Sequence, residues 1–342
     1  MPTESSSKPQ ARQRVVSGMR PTGALHLGHF HGVLKNWVRL QTMHDCFFFV
    51  ADWHALTTQY RDKQDRSQIE GNVYDMVIDW LAAGVDPEKA TLFIQSRMPE
   101  HAELFTLLAM STPTSWLERI PGYKSQVEKS RGVDTYGLLG YPLLQAADIL
   151  IYKGDQVPVG EDQAAHVELT REVARRFNHV YSPAEAILPE PRELLTSNSR
   201  LTGLDGRKMS KSTGNAIAMR DAPAVVAGKI RTMQTDPQRA RLHDAGEPAR
   251  CPVWPLHQVY SDPLTLDWVE QGCRSAGIGC LECKQPLIES IHKEQQPWRE
   301  RADEYLAKPK QVQWIVEMGT ERARVVARKT LREVRAAMGL AY

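Results

Sequence analysis

Arg14-Val15-Val16-Ser17-Gly18-Met19-Arg20-Pro21-Thr22-Gly23-Ala24-Leu25-His26-Leu27-Gly28-His29 is the stretch on which the fold turns. An apolar strand, Arg14 to Gly18, runs into a turn at Arg20-Pro21-Thr22-Gly23, and a helix opens at Leu27. The buried stripe Phe30, Val33, Leu34, Trp37 and Leu40 carries that helix to about Gln41. Gly28 has no Cβ, so a flat ring or a phosphate can approach its backbone. The helix N-terminus offers unpaired N–H groups and a positive dipole end to an anion. His26 and His29 lie three apart on one face and could both bind phosphate oxygens. By itself the pair is weak evidence: a surface pair accounts for it about half the time, and H-x-x-H can also be half of a metal site.

Outward from this stretch the pattern alternates. Cys46-Phe47-Phe48-Phe49-Val50-Ala51 is a continuous apolar strand of the parallel kind, with Asp52-Trp53-His54 at its C-terminal end. Ile69 to Ala83 is a helix closed by Gly84, and Thr91-Leu92-Phe93-Ile94-Gln95 is a third strand. The β-α-β-α-β order predicts a doubly wound parallel α/β domain of the Rossmann type, with its ligand site beyond the C-terminal ends of the strands. Helices at about Leu143 to Tyr152 and Glu161 to Phe177 flank Val157-Pro158-Val159-Gly160. Beyond Thr213 the pattern is helical with no further clear strand. The expected division is a disordered tail, 1–13, a catalytic α/β domain, 14–219, and a smaller all-helical domain, 220–342. Arg299 to Arg335 holds ten Lys/Arg against six Asp/Glu, which reads equally as a solvated face or as a binding surface.

Composition narrows the function classes. The 342 residues are 42% hydrophobic and 25% charged, with a net charge of +2. That near-neutral balance excludes a global polyanion-binding surface, so any nucleic-acid contact must be local. No run approaches the apolar length of a membrane span, and the polar N-terminus lacks a signal-peptide core. A cytoplasmic protein is expected, with reduced thiols.

The second informative motif is Lys208-Met209-Ser210-Lys211-Ser212, which follows the loop signal Leu204-Asp205-Gly206. Two lysines on a Gly-flanked loop can follow a triphosphate and hold the charge that builds on departing pyrophosphate. A solvated basic loop would read the same way without the upstream histidine pair. Together the two motifs resemble the HIGH and KMSKS signatures of class I aminoacyl-tRNA synthetases. Ser17 to Gly23, Asp52-Trp53-His54-Ala55, Tyr141-Pro142, Ala146 to Leu150, Val157 to Gln163 and Ala337-Met338-Gly339-Leu340 are similar to bacterial tryptophanyl-tRNA synthetases, over about Arg14 to Leu340.

That resemblance implies activation of L-tryptophan with ATP and Mg²⁺, followed by transfer to tRNA(Trp), by a homodimer. It implies that His26, His29, Lys208 and Lys211 stabilise the transition state, with no covalent enzyme intermediate. ATP would be held by Arg20, Pro21, Thr22, Gly28, His29, Gly160, Glu161, Asp162, Leu201 and Lys208 to Ser212, and Lys124 is a further candidate pyrophosphate contact. Asp148 would accept the indole N–H. Gln145, Gln163, His54, Tyr141, Val157 and Val159 would line the same pocket. Gln145 departs from the tryptophan pattern, which has Met there. Tyr141-x3-Gln145-x2-Asp148 is the spacing of tyrosyl-tRNA synthetases, so tyrosine remains an alternative substrate and a non-charging nucleotide-binding paralogue an alternative role.

Cys251, Cys273, Cys280 and Cys283 form C-x21-C-x6-C-x2-C, a four-thiolate metal signal in a reducing compartment. The spacing accepts Zn²⁺ or a [4Fe–4S] cluster. The resemblance favours the cluster, which a subset of bacterial tryptophanyl-tRNA synthetases carries, here as a brace for helices that meet the tRNA anticodon. Cys46, in an apolar strand, reads as core.

Overall fold

The computed structural model describes residues 12–59, 63–121, 123, 127, 135–195 and 201–342. Five strands form one parallel sheet: β1 (Arg14–Met19), β2 (Asp45–Val50), β3 (Ala90–Ile94), β4 (Gln156–Val159) and β5 (Arg192–Leu195), in the order β3-β2-β1-β4-β5. Strand direction and order are those of a doubly wound sheet, as the sequence predicts. β1 pairs in register with β2 from Arg14↔Asp45 to Met19↔Val50. Gln13, placed by the sequence in the tail, already joins the sheet, its carbonyl accepting from the Asp45 N–H at 3.0 Å.

The continuous apolar runs follow from cover on both faces. Val15, Phe48, Val50 and Leu92 belong to one core cluster and Val16, Phe47, Phe49 and Phe93 to the other, because successive side chains on a strand point to opposite faces. On the first face lie α1 (residues 27–40) and α3 (Lys63–Ala83), where Trp37 stacks on Phe48 with centroids 4.1 Å apart. On the second lie α4 (Pro99–Ala109), α6 (Tyr136–Leu150) and α7 (Ala164–Tyr181). Two short helices, α2 (Asp52–Gln59) and α5 (Thr114–Glu118), follow β2 and α4 respectively.

Four departures from the expected elements have local causes. α1 is not a uniform α-helix: after the turn Leu27–His29 it widens into a π-helical stretch, Phe30–Leu34, before Lys35–Leu40. π-Bulges of this kind recur at functional sites. α3 begins at Lys63 and α6 at Tyr136, each earlier than its apolar stripe announces. β4 hides behind Pro158, and β5 reads Arg-Glu-Leu-Leu, too polar for a central strand but suitable for the sheet edge it occupies. α7 is preceded by a 3₁₀ turn, Glu161–Gln163, and runs on to Tyr181.

After the sheet the chain is helical: α8 (Pro223–Thr232), α9 (Trp254–Tyr260), α10 (Pro263–Arg274), α11 (Cys280–Leu306) and α12 (Pro309–Ala337). α12 returns to the sheet and lies on β3. A Cβ at Gly319 would stand 1.8 Å from the Leu92 carbonyl oxygen. Much of the basic excess in 299–335 clamps the helices in place. Arg301 donates to the Ala82 carbonyl, Arg322 to that of Pro87 and Arg324 to that of Arg97, while Arg328 pairs with Glu100 and Arg335 with Glu103. No helix among the described residues is long and apolar enough to cross a membrane.

Candidate active site

The two motifs meet at the end of β1. Leu27 N–H donates to the Ile217 carbonyl at 3.0 Å and Met219 N–H to that of Leu25 at 2.9 Å, so the strand-like segment after the lysine loop zips onto the histidine segment. Lys211 Nζ donates to the Gly23 carbonyl at 2.6 Å. His26 caps α1 in extended conformation, and its backbone N–H donates to His29 Nδ1 at 3.2 Å. That bond makes Nδ1 of His29 an acceptor, which leaves the ring hydrogen on Nε2. The two rings lie 3.8 Å apart between centroids. A Cβ on Gly28 would stand 2.9 Å from the His26 ring, so the glycine makes room for this packing.

Electrostatics follow from the crowding. Burial lowers His26 to about 4 and His29 to about 2; the lysine charges of Lys211 and Lys208 add to this, and His29 also feels His26. Both imidazoles are therefore neutral at pH 7 and offer N–H donors, not positive charge. Lys211 is lowered to about 8 by burial, against the attraction of Asp79. Asp79, on α3, accepts from the Leu25 N–H at 3.2 Å and pairs with Arg220 at 2.6 Å, anchoring the backbone just before His26.

The lysine loop is stapled by Asn215, which the sequence reading passed over. Its Oδ1 accepts from the Ser210 N–H at 2.8 Å, and its Nδ2 donates to Asp205 at 2.7 Å and to the Lys208 carbonyl. Gly203 is pressed against it: a Cβ there would lie 2.4 Å from the Asn215 amide. Leu201 is buried and its carbonyl accepts from the Met209 N–H at 3.1 Å. Met209 is buried, Lys208 exposed. Pro21 is buried between exposed Arg20 and Thr22, while Gly160 is half-buried and Glu161 exposed at the end of β4. Lys124 lies outside the described residues, as do the side chains of Asp162 and Ser212.

The second group forms around Asp148, which is 1% exposed near the end of α6. His54 Nε2 reaches Oδ2 at 2.8 Å, Gln95 Nε2 donates at 2.8 and 3.0 Å to the two oxygens, and His101 Nδ1 reaches Oδ1 at 2.7 Å. Burial opposes its charge, yet the hydrogen bonds from His101 and His54 win and hold Asp148 down at about 2. His101 and Tyr152 were not singled out in the sequence; their only sign is polarity on otherwise apolar helix faces. Tyr141, Gln145 and Asp148 follow each other by four and three residues on α6, hence on one face. The Tyr141 hydroxyl meets His166 Nε2 at 3.1 Å, and His166 Nδ1 meets Gln163 Oε1 at 2.7 Å, joining α6 to the turn after β4. Val157 packs in the core beneath α6 and α7, with half-buried Val159 against it.

The cysteines behave as two groups. Cys46 is buried in β2, as expected. Cys251 follows the turn Pro248–Arg250, Cys273 ends α10, and Cys280 and Cys283 share the first turn of α11. They sense one another: Cys283 is pushed up to about 12 by burial and then by Cys251, Cys273 and Cys280. His257 Nε2 lies 3.5 Å from Cys283 Sγ. As the side chains stand, no group of three or more His, Cys, Asp or Glu among the described residues is gathered to hold a metal ion.

Neutral imidazoles and lysines brought together at the end of β1 in a doubly wound sheet, with a sealed carboxylate near the end of α6, are groups suited to a nucleotide-using activating enzyme. The family described as tRNA synthetases class I (W and Y) matches residues 8–294, and the chain belongs to it. The tryptophan–tRNA ligase of Ralstonia nicotianae is 54% identical, covering 96% of this chain and 99% of that protein; that of Thermotoga maritima is 47% identical, covering 96% and 100%. Among solved structures, tryptophanyl-tRNA synthetase from Campylobacter jejuni, complexed with ADP and tryptophan, superposes with a TM-score of 0.85 at 30% identity, covering 96% of this chain and all of that one.

Proposed function

We propose that this chain activates L-tryptophan with ATP, releasing pyrophosphate, and then passes the tryptophanyl group to tRNA(Trp). The observation that carries the amino-acid side of this reading is the sealed Asp148 carboxylate, an anion at neutral pH and an acceptor suited to an indole N–H. A substrate that offers no N–H to this acceptor forfeits a charge-assisted hydrogen bond, which discriminates against it.

In the first step a tryptophan carboxylate oxygen attacks the α-phosphorus, and the bond to the bridging oxygen of the β-phosphate breaks. Charge gathers on pyrophosphate, where Lys208, Lys211 and the N–H groups of His26 and His29 stabilise it. Arg20, Pro21, Thr22, Gly28, Gly160, Glu161, Asp162, Leu201, Met209, Ser210 and Ser212 complete the nucleotide site in this reading. Mg²⁺ enters with the phosphates rather than in a protein cage. In the second step a hydroxyl of the 3′-terminal adenosine attacks the acyl carbon and AMP leaves. Amino-acid-dependent pyrophosphate exchange across the standard amino acids tests the assignment. Tryptophan alone supports exchange, and Asp148→Asn severely weakens it; exchange driven by tyrosine, the substrate that Gln145 also suits, overturns it. Adenylate formation without tRNA charging would favour the paralogue.

Residues 14–219 serve catalysis and 220–342 the anticodon end of the tRNA in this reading, in a cytoplasmic homodimer. We further propose that Cys251, Cys273, Cys280 and Cys283 hold a [4Fe–4S] cluster that braces the second region. The donor set is all thiol, the ligation that such a cluster takes, and all four cysteines are free and half-buried. Arg239 and Lys284, each bound to two backbone carbonyls, set positive charge beside Cys273 and Cys283 respectively. Anaerobic purification should give a brown protein with about four irons per chain; a colourless, zinc-loaded one contradicts the cluster.

A further inference from the structure

We infer that His101, braced by Tyr152, is a positioning residue for amino-acid selection: it holds one oxygen of Asp148 so that the other is the one offered to the substrate. The inference rests on the reading of Asp148 as the acceptor of the indole N–H. His101 is fully buried on α4, with its ring edge-on to Phe49 and Phe93 at 6.0 Å each. Its Nδ1 lies 2.7 Å from Asp148 Oδ1 and its Nε2 2.6 Å from the Tyr152 hydroxyl. Tyr152 is itself fully buried and stacked on Phe47 at 4.7 Å.

Hydrogen placement follows from the geometry. A hydroxyl sealed beside a carboxylate keeps its proton and donates it to Nε2, so the imidazole carries its hydrogen on Nδ1, aimed at Asp148. The relay therefore runs from Tyr152 O–H to His101 to Oδ1. Gln95 adds its amide to the same oxygen at 2.8 Å and a longer contact of 3.0 Å to Oδ2. A carboxylate has about four lone-pair sites, and all are engaged. A substrate N–H must then displace a donor, and the replaceable ones sit on Oδ2: His54, on α2 and edge-on to Tyr141, and the longer Gln95 contact. Tyr152 and His101 have no such freedom, being wedged between aromatic rings.

The test compares tryptophan with β-(3-benzothienyl)alanine, which keeps the ring outline but replaces N–H by sulfur. In pyrophosphate exchange, Tyr152→Phe should lower the tryptophan-to-analogue ratio of kcat/KM by about three- to tenfold, the worth of one hydrogen bond. KM for tryptophan should rise and KM for ATP should not. His101→Leu should lower the ratio further, and His101→Asn, whose amide nitrogen can take the place of Nδ1, should recover much of it. A merely structural role would slow both amino acids alike and leave the ratio alone. If Asp148→Asn collapses the ratio while Tyr152→Phe and His101→Leu do not, the inference fails and the Asp148 reading stands. If Asp148→Asn itself leaves the ratio unchanged, both fail.

Discussion

Burial holds Lys211 at about 8, from the 10.5 of a free side chain. The folded chain therefore binds fewer protons than the unfolded chain between about 8 and 10.5, and this group makes stability rise with pH across that window. Below it, the empty protein carries a desolvated ammonium. Triphosphate charge would reverse that cost by raising the Lys211 pKa, so ATP binding should take up a proton at pH 9. Calorimetric titration in buffers of different ionisation enthalpy reads this directly. Uptake in the wild type that disappears in Lys211→Met is expected; equal uptake in both removes Lys211 from the phosphate site. At this scale the motif residues were legible in sequence because their meaning lies in short spacings, as with His26, Gly28 and His29. His101 and Asn215 were not, and Gln95 was legible as a strand end at the ligand side but not as a partner of Asp148. Gln95 and His101 find Asp148 across 53 and 47 residues, and only the fold brings them there.

Among elements, the periodic apolar runs β1, β2 and β3 were readable because cover on both faces leaves a continuous hydrophobic signature. β4 and β5 were not, since a proline and an edge position erase it. The π-helical stretch of α1 was invisible for another reason: its apolar stripe is equally compatible with an α-helix. Helix glycines show how little sequence alone says about packing. Gly228 on α8 has open space where a Cβ would go, whereas Gly319 on α12 faces the β3 backbone at 1.8 Å. Gly228→Ala should stabilise the protein by about 0.5–1 kcal/mol through helix propensity. Gly319→Ala should cost about 1–3 kcal/mol or more, because a backbone carbonyl held in a sheet cannot yield without disturbing Leu92. Urea unfolding of the two variants should move the midpoint in opposite directions; a shift of the same sign would mean that α12 does not lie this close to β3.

For the whole molecule, the last helix decides whether the two regions can be separated. The helical pattern beyond Thr213 suggests a self-contained second domain, yet α12 buries Val312, Ile315 and Val316 in one core cluster and Leu331 and Val334 in the other. At roughly 1.5–3 kcal/mol per buried aliphatic side chain, these five contribute on the order of 10 kcal/mol, comparable with the entire stability of an ordinary domain. The arginines that give 299–335 its basic excess reinforce the attachment, joining α12 to Glu100, Glu103 and carbonyls around β3. Charge counting along the chain could not separate this from a solvated or tRNA-facing surface, because the partners sit more than two hundred residues upstream. Truncation after Lys308 should therefore abolish pyrophosphate exchange along with tRNA charging and leave a chain with no cooperative thermal transition. If the truncated protein kept exchange and melted cooperatively, the sheet would be stable without α12, and the role of this helix would shrink to the tRNA.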